Sequence, residues 1–216
     1  MVQLIQASNL NLGDIKERFH LEEIRDSQFF PEWQGDLPEL SEAEKQWLDQ
    51  IKDNFLSFAD YPLHEEIIKL SVLAPLLFLA GLMQLPFTPE AEKPVEIALE
   101  NDDEVIRGRI DVLTLHQRLW AIVVEAKRQQ LNVSLALPQA LLYMMSSPND
   151  QKRRFGFAIN GTEFLFVKLV KQTPPQYGLS RLFSLVNPGN DLYTVLGILK
   201  QLRETVLQSM NVPHRF

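Results

Sequence analysis

The chain of 216 residues has no cysteine. Disulfides, zinc-thiolate sites and cysteine nucleophiles are therefore excluded, and the chain suits a reducing, cytoplasmic setting. A basic surplus is also missing. With 21 Lys and Arg against 28 Asp and Glu the net charge is −7, which argues against a protein that coats nucleic acid by bulk electrostatics but leaves room for a local basic surface. MVQLIQASNLNLGD has no basic stretch leading into an apolar one, so it does not read as a secretory signal. The longest apolar segment, 67–85, is broken by Lys69, Ser71 and Pro75 and preceded by Glu65 and Glu66, the pattern of a buried core helix rather than a membrane span. No Walker-type glycine-rich loop occurs, and His64 and His116 do not stand at metal-ligand spacing and read as surface residues.

What is present suits a folded domain. Hydrophobic residues make up 45% of the chain and charged residues 23%, enough for a sizeable core in one domain with an extension. Residues 1–59 read as a mostly helical N-terminal extension packed on a core domain of residues 60–216. In the extension, 15–24 is weakly amphipathic, and FFPEWQGDLPEL reads as a proline-broken loop with Phe29, Phe30 and Trp33 as staples or a partner surface. Ser41 and Glu44 form a capping box for a helix over 42–58, with Trp47, Leu48, Ile51, Phe55 and Phe58 near helical spacing. A second helix starts near Pro62, runs through the apolar residues to Met83, and should kink or split at Pro75. Strands are expected over 94–100, 104–115 and 118–127, then a helix over 132–147. A hairpin over 154–160 and 162–170 turns at Asn160-Gly161, a short strand lies near 182–186, and Asp191 caps a C-terminal helix to about Leu207.

The segment RIDVLTLHQRLWAIVVEAKR, 109–128, sets Asp111, Glu125 and Lys127 inside apolar runs. Burying a charge costs several kcal/mol, of order, unless it is paired or bound to a metal. Centring the hairpin turn on Arg118 places Asp111 opposite Glu125, with Cβ atoms about 5 Å apart on one face. Lys127, two residues on, shares that face, whereas a one-residue slip would send Asp111 to the other side. Two carboxylates at that separation call for a hard divalent cation such as Mg²⁺. Each residue also has a plainer reading. Asp111 alone could be a solvated hairpin charge, and Glu125 with Lys127 a cross-strand ion pair.

An Asp on one strand followed by Glu125-Ala126-Lys127 on the next resembles the D…ExK element of the PD-(D/E)xK nuclease superfamily. Gln139 and Tyr143 resemble its QxxxY element, and Glu65 the acidic residue of its first core helix. GRIDVL, EAK and LPQALLYM, within about 60–170, look like stand-alone bacterial restriction endonuclease subunit R-like proteins, similar to the N-terminal nuclease domain of type I restriction motor subunits. The usual proline before the strand aspartate is replaced by Ile110. The resemblance implies an α/β fold with a restriction-endonuclease-like core, αβββαβ, whose mixed central sheet is flanked by helices. It implies an Mg²⁺-dependent DNA endonuclease, with Mn²⁺ as a substitute. Asp111, Glu125 and the Ala126 carbonyl would be metal ligands and Lys127 catalytic. Glu65 would assist the metal or its water, and Gln139 and Tyr143 would position the site or the DNA. Partners would be DNA and a motor or specificity subunit, with a homodimer among the forms open to it and no membrane.

Local alternatives stay open for the accessory residues. Glu65 could be a first-turn carboxylate favoured by the helix dipole, Gln139 simply exposed, and Tyr143 plain core. Arg107, Arg109 and Arg128 flank the site and could meet phosphates or pair with nearby acids. Lys152, Arg153 and Arg154 could track a phosphate backbone or lie in a solvated loop. The competing functional reading is a catalytically weak DNA-docking or regulatory subunit of a larger restriction or repair complex.

Overall fold

A computed structural model describes residues 3–58, 60–61, 63–98, 104–116, 119–126, 131–147 and 153–210, with backbone only at 3, 98, 115–116, 119–124 and 209–210. The elements run β1 (Gln3–Gln6), α1 (Leu12–Phe19), β2 (Glu22–Glu23), α2 (Pro31–Gln34), α3 (Glu42–Leu56) and α4 (Glu65–Ile68). A π-helical turn (Lys69–Leu73) leads into α5 (Ala74–Leu79), then β3 (Phe87–Ala98), β4 (Glu104–His116), β5 (Leu119–Ala126) and α6 (Leu137–Ser146). The chain continues with β6 (Arg153–Ile159), β7 (Glu163–Val170), β8 (Gln176–Leu179), β9 (Phe183–Ser184) and α7 (Leu192–Met210). The segment from α4 to β6 has the order αβββαβ, and its mixed sheet is flanked by helices, an α/β layout. Strands β3, β4 and β5 are antiparallel, and β6 lies parallel to β5 after the α6 crossover.

Two apolar cores cover the two faces of the sheet. Helices α3, α4, α5 and α7 fill one with Leu48, Ile51, Phe55, Ile68, Leu76 and Leu199, while α1 and α6 fill the other with Ile15, Leu141 and Met144. Helix α3 ends at Leu56, two residues short of the expected Phe58, and only some of the apolar positions over 42–58 contribute. Leu48, Ile51 and Phe55 are buried, but Trp47 and Phe58 are exposed along an apolar groove of about 520 Å³ shared with Leu70 and Pro75.

The N-terminal residues are more than a helical extension. Besides α1, α2 and α3 they supply β1, parallel to β4, and β2, parallel to β8, so they add strands to the sheet itself. The FFPEWQ stretch, read from sequence as a loop, forms a 3₁₀ turn (Ser27–Phe29) and the short helix α2 with Pro31 in its first turn. Strand β3 begins at Phe87, seven residues earlier than expected, despite Pro89 and Pro94. Among the described residues β3 pairs with β4 alone, and an edge strand tolerates proline because one side of its backbone needs no partner. The second helix opens at Glu65, and Pro62 falls outside the described residues. The expected break at Pro75 takes the form of a π-helical turn between α4 and α5, which ends two residues before the proline. The ring removes a backbone donor, and the turn before it widens so that the Ala74 amide reaches the Lys69 carbonyl. Among the described residues no helix is long and apolar enough to cross a membrane.

The Asn160-Gly161 turn forms as expected. Asn160 Oδ1 accepts from the amides of Thr162 and Glu163, and Gly161 has φ +86°. A Cβ there would also sit 2.7 Å from the Phe55 ring, so glycine serves both the backbone and the packing.

A buried ion pair docks α2 on the sheet. Lys168 Nζ donates to Glu32 Oε2 and to the Phe29 carbonyl, each at 2.7 Å, and both charged residues are buried. Burial holds the Lys168 ammonium below the ordinary lysine range. Removing one partner strands a charge, while removing both does not. Glu32→Ala is expected to cost about 3–5 kcal/mol in urea denaturation, and Glu32→Leu with Lys168→Met to restore most of that loss.

Candidate active site

Strand β4 uses its two edges differently. One runs along β3, and the other is divided between β1, which pairs with Glu104–Arg107, and β5, which pairs with Val112–His116. Residues 108–111 fall in the interval between β1 and β5. Arg109 meets the Tyr143 hydroxyl there instead of a strand. Its amide donates to that oxygen at 3.0 Å, and its carbonyl accepts from it at 3.3 Å. One side chain thus satisfies both backbone groups, which would otherwise be costly to bury. Gly108 makes the approach possible, because a Cβ at that position would lie 2.2 Å from the Tyr143 oxygen and 2.7 Å from Ala7 Cβ.

Asp111 closes the other end of the interval. Its Oδ2 accepts from the Ala126 amide at 2.7 Å, so a carboxylate takes the place of a strand carbonyl where the ladder stops. The register leading there depends on a bulge. At the hairpin tip Leu115 lies opposite Trp120 and His116 opposite Leu119, and that alignment would carry Asp111 opposite Val124. An irregularity between Thr114 and Leu115 leaves Ala121 without a partner and brings Thr114, Leu113 and Val112 opposite Ile122, Val123 and Val124. This inner alignment is the one obtained by centring the turn on Arg118, and its continuation brings Asp111 level with Glu125. β3 departs from regular pairing at the same place. Its pairs pass from Ala91–Val112 to Lys93–Ile110, and Glu92, level with Asp111, adopts φ +52°.

Glu125 is buried at 1% exposure, and Tyr143 is fully buried in α6. Burial first, and then the negative charge of Glu125, push the Tyr143 hydroxyl up to about 12, with Asp111 adding to the rise while bonds from Gln139 and the Arg109 backbone oppose it. Glu125, Asp111, Gln139 and Tyr143 therefore share one electrostatic neighbourhood. Tyr143 is core and site contact at once, and Gln139, one helical turn earlier, is half-buried and bonded to it.

Glu65 enters through a residue that the sequence reading treated only as an interruption of an apolar run. The Lys69 ammonium lies 2.9 Å from Glu65, 3.0 Å from Asp111 and 3.1 Å from Glu92. Burial pulls this ammonium down, but the bonds to Glu65 and Asp111 outweigh it and hold it well above the ordinary lysine range. Glu92 is held below the usual carboxylate range, its desolvation outweighed by Lys69 and Arg109. The i,i+4 spacing of Glu65 and Lys69 was the available signal for this pair. Nothing local pointed to Glu92.

The described basic candidates are divided between β4 and β6. Arg107 pairs with Glu96 at 3.1 Å and Arg109 with Glu92 at 3.5 Å, both exposed. Arg153 opens β6, is exposed, and lies 3.8 Å from Glu32. Arg154 is a correction. It is 4% exposed within β6 and donates to the Ser147 carbonyl, so it offers no guanidinium to a phosphate backbone. Lys127, Arg128 and Lys152 lie outside the described residues.

The donor set is oxygen-rich and fits a hard divalent cation, with carboxylates on Asp111 and Glu125 and the backbone at Ala126 alongside. Among the described residues no group of three or more His, Asp or Glu side chains stands at metal-holding spacing. Any cation there would need the backbone carbonyl or solvent to complete its shell.

Tyr143→Phe should cost about 1–2 kcal/mol, since it leaves both Arg109 backbone groups without this partner. Hydrogen exchange read by NMR should show protection lost at the Arg109 amide while the amides of β6 and β7 stay protected. With its folded value raised to about 12, the Tyr143 hydroxyl favours the folded state below pH ~10, and that advantage disappears as pH rises towards 12.

No protein-family model matches the chain, and no curated protein matches it. Among solved structures it is similar to a fragment of a candidate HsdR subunit of a type I restriction enzyme from Vibrio vulnificus YJ016, at 22% identity and a TM-score of 0.41. The similarity covers 64% of this chain and 26% of that one.

Proposed function

We propose that the protein is an Mg²⁺-dependent DNA endonuclease of the PD-(D/E)xK type, related to restriction–modification or DNA processing. One observation carries the reading. Asp111 is fixed against the Glu125-Ala126 segment at the break in the β4 edge, bonded to the Ala126 amide at 2.7 Å. The helix, strand, strand, helix placement of Glu65, Asp111, Glu125 and Gln139 with Tyr143 supports it further.

In this reading Asp111, Glu125 and the Ala126 carbonyl hold the ion, and Mn²⁺ can replace Mg²⁺. When bound, the ion supplies charge neutralisation at a phosphoryl oxygen and acidifies water. The chain's own residues do the rest. Lys127 stabilises the charge that builds on the phosphate. Glu65 orients water at the site, and Tyr143 and Gln139 hold β4 in position behind Asp111. Arg107 and Arg109, exposed on the same strand, meet the DNA backbone, and Arg128 and Lys152 extend that contact. A motor or specificity subunit, or a second copy of the chain, would supply translocation or the second cut.

One observation favours a second reading. Lys69 already neutralises Asp111 and Glu65. A catalytically weak DNA-docking or regulatory subunit could keep these carboxylates as a structural ion cluster.

Supercoiled plasmid incubated with Mg²⁺ or Mn²⁺ separates the two. The native chain should nick or linearise it, and Asp111→Ala and Lys127→Ala should each reduce the rate by about 10²-fold or more. Equal product from all three proteins, or none from any while plasmid binding persists, would favour the docking subunit.

A further inference from the structure

We infer that the Lys69 ammonium is an internal counter-ion of the cation site, and that a divalent ion must displace it from Asp111 in order to bind. The inference rests on reading Asp111 and Glu125 as cation-holding carboxylates, and it adds a regulatory element to that site.

Three carboxylates from three elements converge on one ammonium: Glu65 from α4, Glu92 from β3 and Asp111 from β4. Lys69 is largely enclosed, with 17% of its side chain exposed, and Asp111 more so at 13%. Both oxygens of the Asp111 carboxylate are engaged. One oxygen faces Lys69 and the other accepts from the Ala126 amide. An ammonium and a doubly charged ion on the same carboxylate would repel strongly in so enclosed a place. Binding is therefore an exchange of cations rather than an addition.

The structure also provides a place for the displaced ammonium. Glu92 is half exposed, at 51%, and stands at the open side of the cluster. Its φ of +52° is uncommon for a residue with a side chain, and Lys69 and Arg109 bond it there. A flexible four-carbon stem lets Lys69 release Asp111 and Glu65 while keeping Glu92. The π-helical turn that begins at Lys69 sets the stem at the widened part of the helix, a distortion that recurs at functional sites.

Calorimetric titration with Mn²⁺ of the full chain, together with its thermal unfolding, tests the exchange. Lys69→Met removes the charge and keeps the length. It should bind Mn²⁺ about tenfold or more tightly than the native chain. Its Tm should be lower than native in EDTA and should gain more from Mn²⁺. Lys69→Arg keeps a cation in place and should stay within about threefold of native affinity. Asp111→Asn should abolish the binding in the native and the Lys69→Met backgrounds alike. Equal, Asp111-dependent affinity in native and Lys69→Met proteins overturns the exchange but leaves the cation site standing. Absence of Mn²⁺ binding in every folded form overturns both.

The native chain gives a second readout that needs no variant. Acetylation of Lys69, followed by mass spectrometry, should be slow in EDTA and several-fold faster with saturating Mg²⁺, relative to exposed Lys45. An unchanged ratio overturns the exchange.

Discussion

Strand β4 gives one edge to β3 and divides the other between β1 and β5, and the Tyr143 hydroxyl closes the interval between those two strands. A backbone amide and carbonyl buried without partners would each cost about 1–3 kcal/mol, so a sheet opens in this way only where a side chain replaces the missing strand. Tyr143 does this from α6, and it fits only because residue 108 has no Cβ. The opening is what makes a site. It frees Asp111 from the ladder, turns its carboxylate to the Ala126 amide, and leaves room beside it for the end of α4 and the Lys69 ammonium.

The charges in that opening are balanced locally. Among the described residues Asp111, Glu65 and Glu92 share the Lys69 ammonium, while Glu125 is more deeply buried and acts electrostatically on Tyr143. The negative potential that raises the tyrosine also favours a cation. Burial strengthens both effects by removing the water that would screen them. The net charge of −7 thus contains a focused acidic centre, with Arg109 on its rim through Glu92.

Much of this was legible in the sequence where local rules act alone. The Ser41–Glu44 box, the Asn160-Gly161 turn and the hairpin register around Val112 and Val124 follow from capping, turn and pairing chemistry. The register was reached by way of a bulge at Ala121 that no residue type announced, because the tip alone would have placed Asp111 one position off. The spacing of Gln139 and Tyr143 put them on one helix face, but not the hydroxyl on the Arg109 backbone, which is a contact between residues 34 apart. β1, β2 and β8 were missed. They are two to four residues long and are held by neighbours far away in the chain. β3 was expected only over 94–100, and the tolerance of Pro89 and Pro94 within the longer strand depends on an edge position that only the sheet order reveals. Lys69 was hidden for a related reason. In sequence it interrupts an apolar run, and in the fold it is the point where α4, β3 and β4 meet.

The central claim is that Asp111 and Glu125 hold a divalent cation together. The most direct measurement is anomalous diffraction from crystals of the protein grown with Mn²⁺. The account predicts a strong anomalous peak coordinated by Asp111, Glu125 and the Ala126 carbonyl, with the Lys69 ammonium withdrawn from Asp111. Saturating Mn²⁺ with no peak at these residues, and Lys69 still seated between Asp111 and Glu65, would contradict it.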